Sequence, residues 1–397
     1  MTNWQQLEHK YYMSTFRRIP ITLVSGQGNR VWDEGGREYL DFTAGWAVNS
    51  LGHCHPLVVE AITQQAETLI HVSNSYYTIP QIKLAELLVQ NSSLEKVFFC
   101  NSGTEATEGA VKLARRYGHL HLNGAYEVIT ATGSFHGRTL AMVSASGQPE
   151  FQKPYTPLPT GFVNIEYNNV RVLEEAINTK TCAVMLEPIQ GEGGVNLPDA
   201  GYLKAVSELC QQKGIPLILD EIQTGIGRTG RLFAYEHYDL EPDIMTLAKG
   251  LASGIPIGAV LAKNKVSVFI TGEHGSTFGG NPLASAAGYA TLKFIIDNNI
   301  INNARLRGQQ LTLGLKALKQ KYNIITDVRG MGLLQAMDFN DNIAQSVMMA
   351  CLENGLLVNE LKKNALRFMP SLIVTENEIN EALEVLDKAL VGIQVKK

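Results

Sequence analysis

Two apolar runs, Pro216-Leu217-Ile218-Leu219 and Ile244-Met245-Thr246-Leu247, lead into charged residues, Asp220 after the first and Lys249 just beyond the second. Unbroken apolar runs of this length read as strands buried on both faces of a parallel sheet, and ligands of open α/β sheets bind outside the carboxyl ends of such strands. Both charged residues therefore aim at a ligand. Burial lowers the pKa of a lysine, so that a neutral amine can attack a carbonyl. A buried aspartate opposite it can pair with a ring nitrogen and keep it protonated. Pyridoxal phosphate needs that pair. A buried structural ion pair is the alternative that these two residues alone leave open.

Further pieces of a site lie at other strand ends. Asn101-Ser102-Gly103-Thr104 follows the run KVFFC and opens a helical stretch, so free backbone N–H groups, two hydroxyls and the helix dipole converge as they would on a phosphate. An ordinary helix cap has the same composition. Ser134-Phe135-His136-Gly137-Arg138 follows YEVITATG; an aromatic there can stack on a planar cofactor, and Arg138 offers a fork matched to a carboxylate. Gly225-Ile226-Gly227-Arg228-Thr229-Gly230 fits the dinucleotide pattern literally and so raises a nicotinamide dehydrogenase as a competing class. That fingerprint must open a helix at once, whereas RLFAYEHYDLEPD follows, so these glycines read as a flexible connection.

The elements that must hold these residues alternate. KVFFCN, YEVITAT, TCAVMLEPI, IPLILDE, DIMTLAK and GAVLAK read as strands between helical stretches such as TEATEGAVKLARRYG and GYLKAVSELCQQKG. Such alternation predicts an α/β fold with a mostly parallel central sheet covered by helices. Before it, ITLVSGQG, RVWDEGG and REYLDF read as short strands with a hairpin at Asp33–Gly36, and Pro56 stands at a plausible first helical position with Val58, Ile62, Ala66 and Leu69 on one face. The last third closes on Thr375-Glu376-Asn377-Glu378, a capping-box signal ahead of Ile379, Leu383, Leu386 and Leu390. The expected organisation is an N-terminal segment 1–52 that joins a smaller α+β domain, a large cofactor-binding domain 53–287, and a C-terminal small domain 288–397.

Bulk properties narrow the partners. A net charge of −4 without a dense Lys/Arg block gives no electrostatic case for nucleic acid or an anionic membrane. No stretch is apolar enough for a transmembrane span and the N-terminus lacks a secretory pattern, so the expected location is the cytoplasm. Five scattered cysteines suit reduced thiols, and the pairs His53/His55 and His119/His121 lack the further ligands of a metal site, so no metal is expected.

The ordered blocks NSGTEA, SFHGRT, EPIQGEGG, DEIQTGIGRTG, TLAKGLASGIPIGA, HGSTFGGNP and RFMPSLIV run across essentially the whole chain. Together they resemble the class III (ω-amino acid) aminotransferases of pyridoxal-phosphate fold type I, and are most similar to the branch acting on N-acetylornithine. The resemblance implies that Lys249 anchors the cofactor and then moves the proton, and that Asp220 pairs with the pyridine nitrogen. Ile222 and Phe135 would sandwich the ring, Gln223 would reach its phenolic oxygen, and Ser102, Gly103 and Thr104 would cradle the phosphate, with Glu221 counted in the same set. Thr277 would reach the phosphate of a neighbouring subunit, which implies a homodimer with shared sites.

For substrates, the resemblance makes Arg138 the anchor for the α-carboxylate of an ω-amine donor and for the distal carboxylate of glutamate. Arg367 would take glutamate's α-carboxylate, and Glu192 would pair with Arg367 when the donor is bound. Ser276 matches a donor-contacting position, and Phe16 stands where ornithine-specific relatives carry a tyrosine that contacts a free α-amine. Without that hydroxyl an acylated nitrogen is favoured, because a buried ammonium with no partner is costly. The implied reaction passes the δ-amino group of N2-acetyl-L-ornithine to 2-oxoglutarate, giving N-acetyl-L-glutamate 5-semialdehyde and L-glutamate; ornithine, succinylornithine and GABA are the alternative donors.

Overall fold

The structure, a computed structural model of the chain, describes residues 3–394. After a short helix, Trp4–Tyr11, come three short strands: β1 (Leu23–Gln27), β2 (Arg30–Asp33) and β3 (Glu38–Asp41), paired antiparallel in that order. The expected hairpin is present between β2 and β3, where Gly36 takes a positive φ and Asp33 Oδ1 accepts from the backbone N–H of Gly35 and Arg37.

The central sheet holds β4 (Lys96–Cys100), β5 (Glu127–Ala131), β6 (Phe162–Ile165), β7 (Thr181–Leu186), β8 (Leu217–Asp220), β9 (Ile244–Leu247) and β10 (Gly258–Ala262) in the order β4-β10-β9-β8-β7-β5-β6. β9, β8, β7, β5 and β6 are mutually parallel, as the apolar runs predict. Leu217 and Leu219 of β8 belong to one apolar cluster and Ile218 to another, so both faces of the sheet are covered. That double burial is why these strands read as continuous apolar runs.

β10 departs from the pattern and runs antiparallel to both neighbours, β9 and β4. The stretch 248–257 holds only a 3-10 turn and is too short for the crossover that a parallel return requires. β6, an edge strand with an exposed Asn164, was not among the expected strands.

The last third forms a separate antiparallel sheet of β11 (Ile325–Met331), β12 (Leu334–Phe339), β14 (Asn359–Lys362) and β15 (Ala365–Phe368), in the order β11-β12-β15-β14. The helices Ile300–Lys321 and Glu376–Gln394 pack together beside it. β13 (Leu356–Leu357) instead pairs parallel with β3, which ties the N-terminal segment to the C-terminal region. The expected 287/288 boundary falls inside the helix Pro282–Asp297, which packs on the helices Pro56–Thr68 and Ile79–Gln90. The capping box forms as read: Glu378 Oε2 accepts from the Thr375 N–H at 2.8 Å, and Thr375 Oγ1 accepts from the Glu378 N–H at 3.3 Å. The helix Pro56–Thr68 buries Val58 alone fully; Ala66 and Leu69 are exposed, and Leu69 lies past the helix end.

Candidate active site

A cavity of about 340 Å³ opens at the carboxyl ends of the parallel strands, lined among others by Thr104, Phe135, Asp220, Ile222 and Lys249. Asp220 ends β8 almost fully buried. Its Oδ2 accepts from His136 Nδ1 at 2.8 Å, and its Oδ1 accepts from Thr246 Oγ1 and the Ile222 N–H, both at 3.1 Å. Three donors hold this carboxylate in one orientation. His136 is itself buried and its Nε2 has no partner.

Lys249 follows β9 and enters the 3-10 turn Lys249–Ala252 with φ of 34°, a left-handed conformation that is costly for a side chain and characteristic of functional positions. Burial lowers its pKa, the nearby carboxylate of Glu192 opposes that shift, and the Arg367 guanidinium reinforces it. The result is the readily available amine that attack on a carbonyl needs.

The helix Gly103–His121 begins at the cavity wall. Ser102 caps it by accepting from the Glu105 N–H, which leaves the first-turn N–H groups of Gly103 and Thr104 without intrahelical acceptors. A Cβ on Gly103 would come within 2.9 Å of Ile222 Cδ1, and one on Gly137 within 2.1 Å of Thr104 Oγ1, so both glycines keep this end of the cavity open. Phe135 is fastened by its N–H to Glu187 Oε2 at 3.0 Å and lines the cavity together with Ile222. Arg138 stands exposed at the rim with its guanidinium 4.1 Å from the Phe151 ring centroid, and among the described residues no carboxylate pairs with it.

Glu192, in the turn after β7 of the central sheet, meets Arg367 of the antiparallel sheet. Arg367, on β15 and 1% exposed, donates to Glu192 at 2.8 and 3.3 Å, to the Gly191 carbonyl and Gln223 Oε1 at 3.2 Å, and to Asn359 Oδ1 at 3.0 Å. Gln223 Nε2 completes the triangle by donating to Glu192 Oε1 at 3.0 Å, and Lys249 Nζ lies 3.9 Å from the same oxygen. Burial works against the Glu192 carboxylate, but Arg367 and Lys249 outweigh it and bring its pKa down to about 2.

Not every expected residue reaches the cavity. Glu221 turns to the opposite side of the chain from Asp220, as successive residues at a strand end do, and its oxygens accept from the N–H groups of Ala234 at 2.6 Å and Tyr235 at 2.8 Å. It fastens the start of the 3-10 turn Ala234–His237 and is not among the residues lining the cavity. Phe16 is 74% exposed on the irregular segment 12–22, and Thr277 is exposed beside Phe278. Ser276 Oγ accepts from Nδ2 of Asn101, a cavity residue, at 3.1 Å. The loop 225–230 is followed by no α-helix before the 3-10 turn Ala234–His237; Arg228 is buried and donates to the carbonyls of Leu333 and Pro370.

Several site residues carried no assigned role in the sequence reading. His136 stood inside a recognised block, and its place at a strand end was the available signal. Glu187 binds the N–H groups of Phe135 and Gly191, and burial pushes its pKa up to about 7. Trp46 lies 5.9 Å from the Arg367 guanidinium. It is carried there by a left-handed turn in which Ala44, Gly45, Trp46 and Ala47 all have positive φ. Asp41 anchors that turn by accepting from the N–H groups of Thr43 and Ala44.

Comparison with known proteins agrees with this geometry. The family model described as Aminotransferase class-III matches residues 11–390. An acetylornithine aminotransferase of Caldanaerobacter subterraneus subsp. tengcongensis is 51% identical over 98% of this chain and 99% of its own. Among solved structures, the ornithine aminotransferase of Toxoplasma gondii superposes with a TM-score of 0.96 at 36% identity, covering 99% of this chain and 96% of that one. The acetylornithine aminotransferase of Elizabethkingia anophelis gives 0.88 at 36% identity, with 98% of each chain covered.

Proposed function

This chain belongs to the class III aminotransferase family, and from that membership we propose that it moves the δ-amino group of N2-acetyl-L-ornithine to 2-oxoglutarate, yielding N-acetyl-L-glutamate 5-semialdehyde and L-glutamate. The observation that carries the reading is a lysine and a buried aspartate facing one cavity, at whose wall Glu192 pairs with Arg367. The donor is supported by the 51% identical acetylornithine aminotransferase.

The cofactor is pyridoxal 5'-phosphate, and the cavity fits it: a helix N-terminus and two hydroxyls for the phosphate, apolar Phe135 and Ile222 for the ring faces, and Asp220 for the ring nitrogen. When bound, the cofactor supplies an electron sink for negative charge developing at the substrate carbon. The protein does the rest. Asp220, held by His136, Thr246 and the Ile222 N–H, keeps a negative charge where a ring proton must be retained. Lys249 would hold the cofactor and stands where it can take and return the substrate proton, its proximity contributing much of the rate. Arg138 binds the carboxylate at the cavity rim. Arg367 binds the second carboxylate of glutamate or 2-oxoglutarate after Glu192 has swung off it, and is covered again for a donor with no carboxylate at that end.

Two copies share the site in this reading. Tyr77, Ile79 and Phe278 are strongly exposed around Thr277, and a second copy covering that face brings Thr277 to its phosphate. The five free cysteines, four of them buried, support a cytoplasmic location. No described helix is long and apolar enough to cross a membrane. Half-reactions with N2-acetylornithine, N2-succinylornithine, ornithine and GABA test the donor: N2-acetylornithine is expected to react with the highest kcat/KM, and a higher value for free ornithine overturns the assignment.

A further inference from the structure

The turn that carries Glu192 is gripped from both domains. Gln190 and Asn196 close it through reciprocal backbone hydrogen bonds at 3.0 and 3.1 Å. Glu187 accepts from the Gly191 N–H at 3.1 Å on the large-domain side. The turn is also closely packed: a Cβ on Gly193 would run into the Gly133 carbonyl, and one on Gly191 into the Gln223 side-chain amide.

On the small-domain side Arg367 donates to the Gly191 carbonyl at 3.2 Å, and a second arginine holds the far end of the turn. Arg329, on β11, donates to the Gly194 carbonyl from Nε at 3.0 Å and from Nη2 at 2.6 Å. Its other N–H groups go to Asp338, at 2.7 and 3.1 Å, and to Asp327, at 2.8 Å. A guanidinium has five N–H donors, and here every one of them is used. The two aspartates fix the fork and the fork fixes Gly194, two residues from Glu192. A lysine has three donors around a point and cannot reproduce that planar contact.

We propose that Arg329 is a positioning residue for substrate discrimination, holding the backbone of the Gly191–Gly194 turn still so that only the Glu192 side chain moves between its masked and unmasked states. This rests on the masking role given to Glu192 above. A turn that yields along with its side chain blurs the two states, because Glu192 then follows Arg367 instead of releasing it. The discrimination lost is a difference between two half-reactions, and a misplacement of about 1 Å carries an effect of up to roughly 100-fold.

The test is a double-mutant cycle on the holoenzyme. Arg329→Lys, Glu192→Gln and the double variant are compared by single-turnover rates with glutamate and with N2-acetylornithine, and by calorimetric binding of glutarate, an unreactive dicarboxylate. Arg329→Lys is expected to shift the ratio of the two half-reactions by about tenfold and to change glutarate affinity in the same direction as Glu192→Gln. In the Glu192→Gln background it is expected to add little to either. Equal depression of both half-reactions by Arg329→Lys, or effects that multiply fully with Glu192→Gln, overturns the proposal. If Glu192→Gln leaves the ratio unchanged, the masking role itself fails; if Glu192→Gln shifts it and Arg329→Lys does not, only the positioning role fails. Asp338→Asn, which loosens the fork without touching the turn, replaces Arg329→Lys in the same cycle should the latter not fold, with the same expected and overturning results.

Discussion

Replacing Glu192 with Gln separates the two substrates that one cavity has to accept. The Glu192 carboxylate is drawn from its ordinary 4.5 to about 2, against burial, by Arg367 at 2.8 Å and Lys249 at 3.9 Å. That depression corresponds to about 3 kcal/mol of preference for the ionised form, or roughly 300-fold in an equilibrium constant. Glutamine keeps a hydrogen bond to the guanidinium but loses the charge, so part of that energy no longer masks Arg367. The glutamate half-reaction is expected to hold or improve and the N2-acetylornithine half-reaction to weaken, with their ratio moving by about 10- to 100-fold. Single-turnover absorbance changes with each substrate read both rates directly. Equal depression of the two half-reactions makes the pair a fixed salt bridge and refutes the masking argument.

The same substitution carries a pH signature. A carboxyl whose pKa is lower in the folded state contributes stability that is complete above its unfolded value, near 4.5, and is lost as pH falls toward 2. The wild-type protein is therefore expected to lose stability more steeply than the Glu192→Gln variant between those limits. Thermal unfolding at a series of acid pH values measures the two slopes, and parallel slopes contradict the assignment of the shift to Glu192.

Lys249→Ala removes the cofactor anchor from a cavity wall and is expected to leave the fold intact while abolishing borohydride-fixed pyridoxyl label; peptide mapping that finds the wild-type label on another lysine defeats the central assignment. Asp220→Asn keeps the shape but removes the charge held by His136 and Thr246, so turnover at saturating cofactor is expected to fall by roughly 10²–10³-fold, and near-normal kcat excludes the ring-nitrogen role. Glu221→Gln can accept from only one of the two N–H groups that the carboxylate now serves. It is expected to cost about 1–3 kcal/mol in chemical denaturation with cofactor affinity unchanged; a large loss of cofactor affinity without loss of stability returns Glu221 to the cofactor set.

What the chain declares locally, it declares well. β7, β8 and β9 are buried on both faces, and burial on both faces leaves an unbroken apolar run. The capping box at Thr375 depends on side chains three residues apart, so spacing alone reveals it. β6 escaped because an edge strand with Asn164 outward has no such run, and the direction of β10 escaped because it follows from the length of a connection, which no residue type records. The site divides along the same line. Lys249 and Asp220 line the cavity because strand ends face it, and Glu221 does not because adjacent residues at a strand end face opposite ways.

The partners of the buried polar atoms were out of reach of any local rule. His136 meets Asp220 from 84 residues away, and Arg329 meets Gly194 from 135. Trp46 owes its position to four consecutive left-handed residues of which only one is glycine, a conformation that local propensity opposes. In each case a buried or half-buried group needs a partner, and the fold decides which one arrives. A left-handed turn under Trp46 and a strained φ at Lys249 persist because the contacts around them outweigh their cost. The residues least predictable from their neighbours in sequence are thus those that bring the two domains together around Glu192 and Arg367.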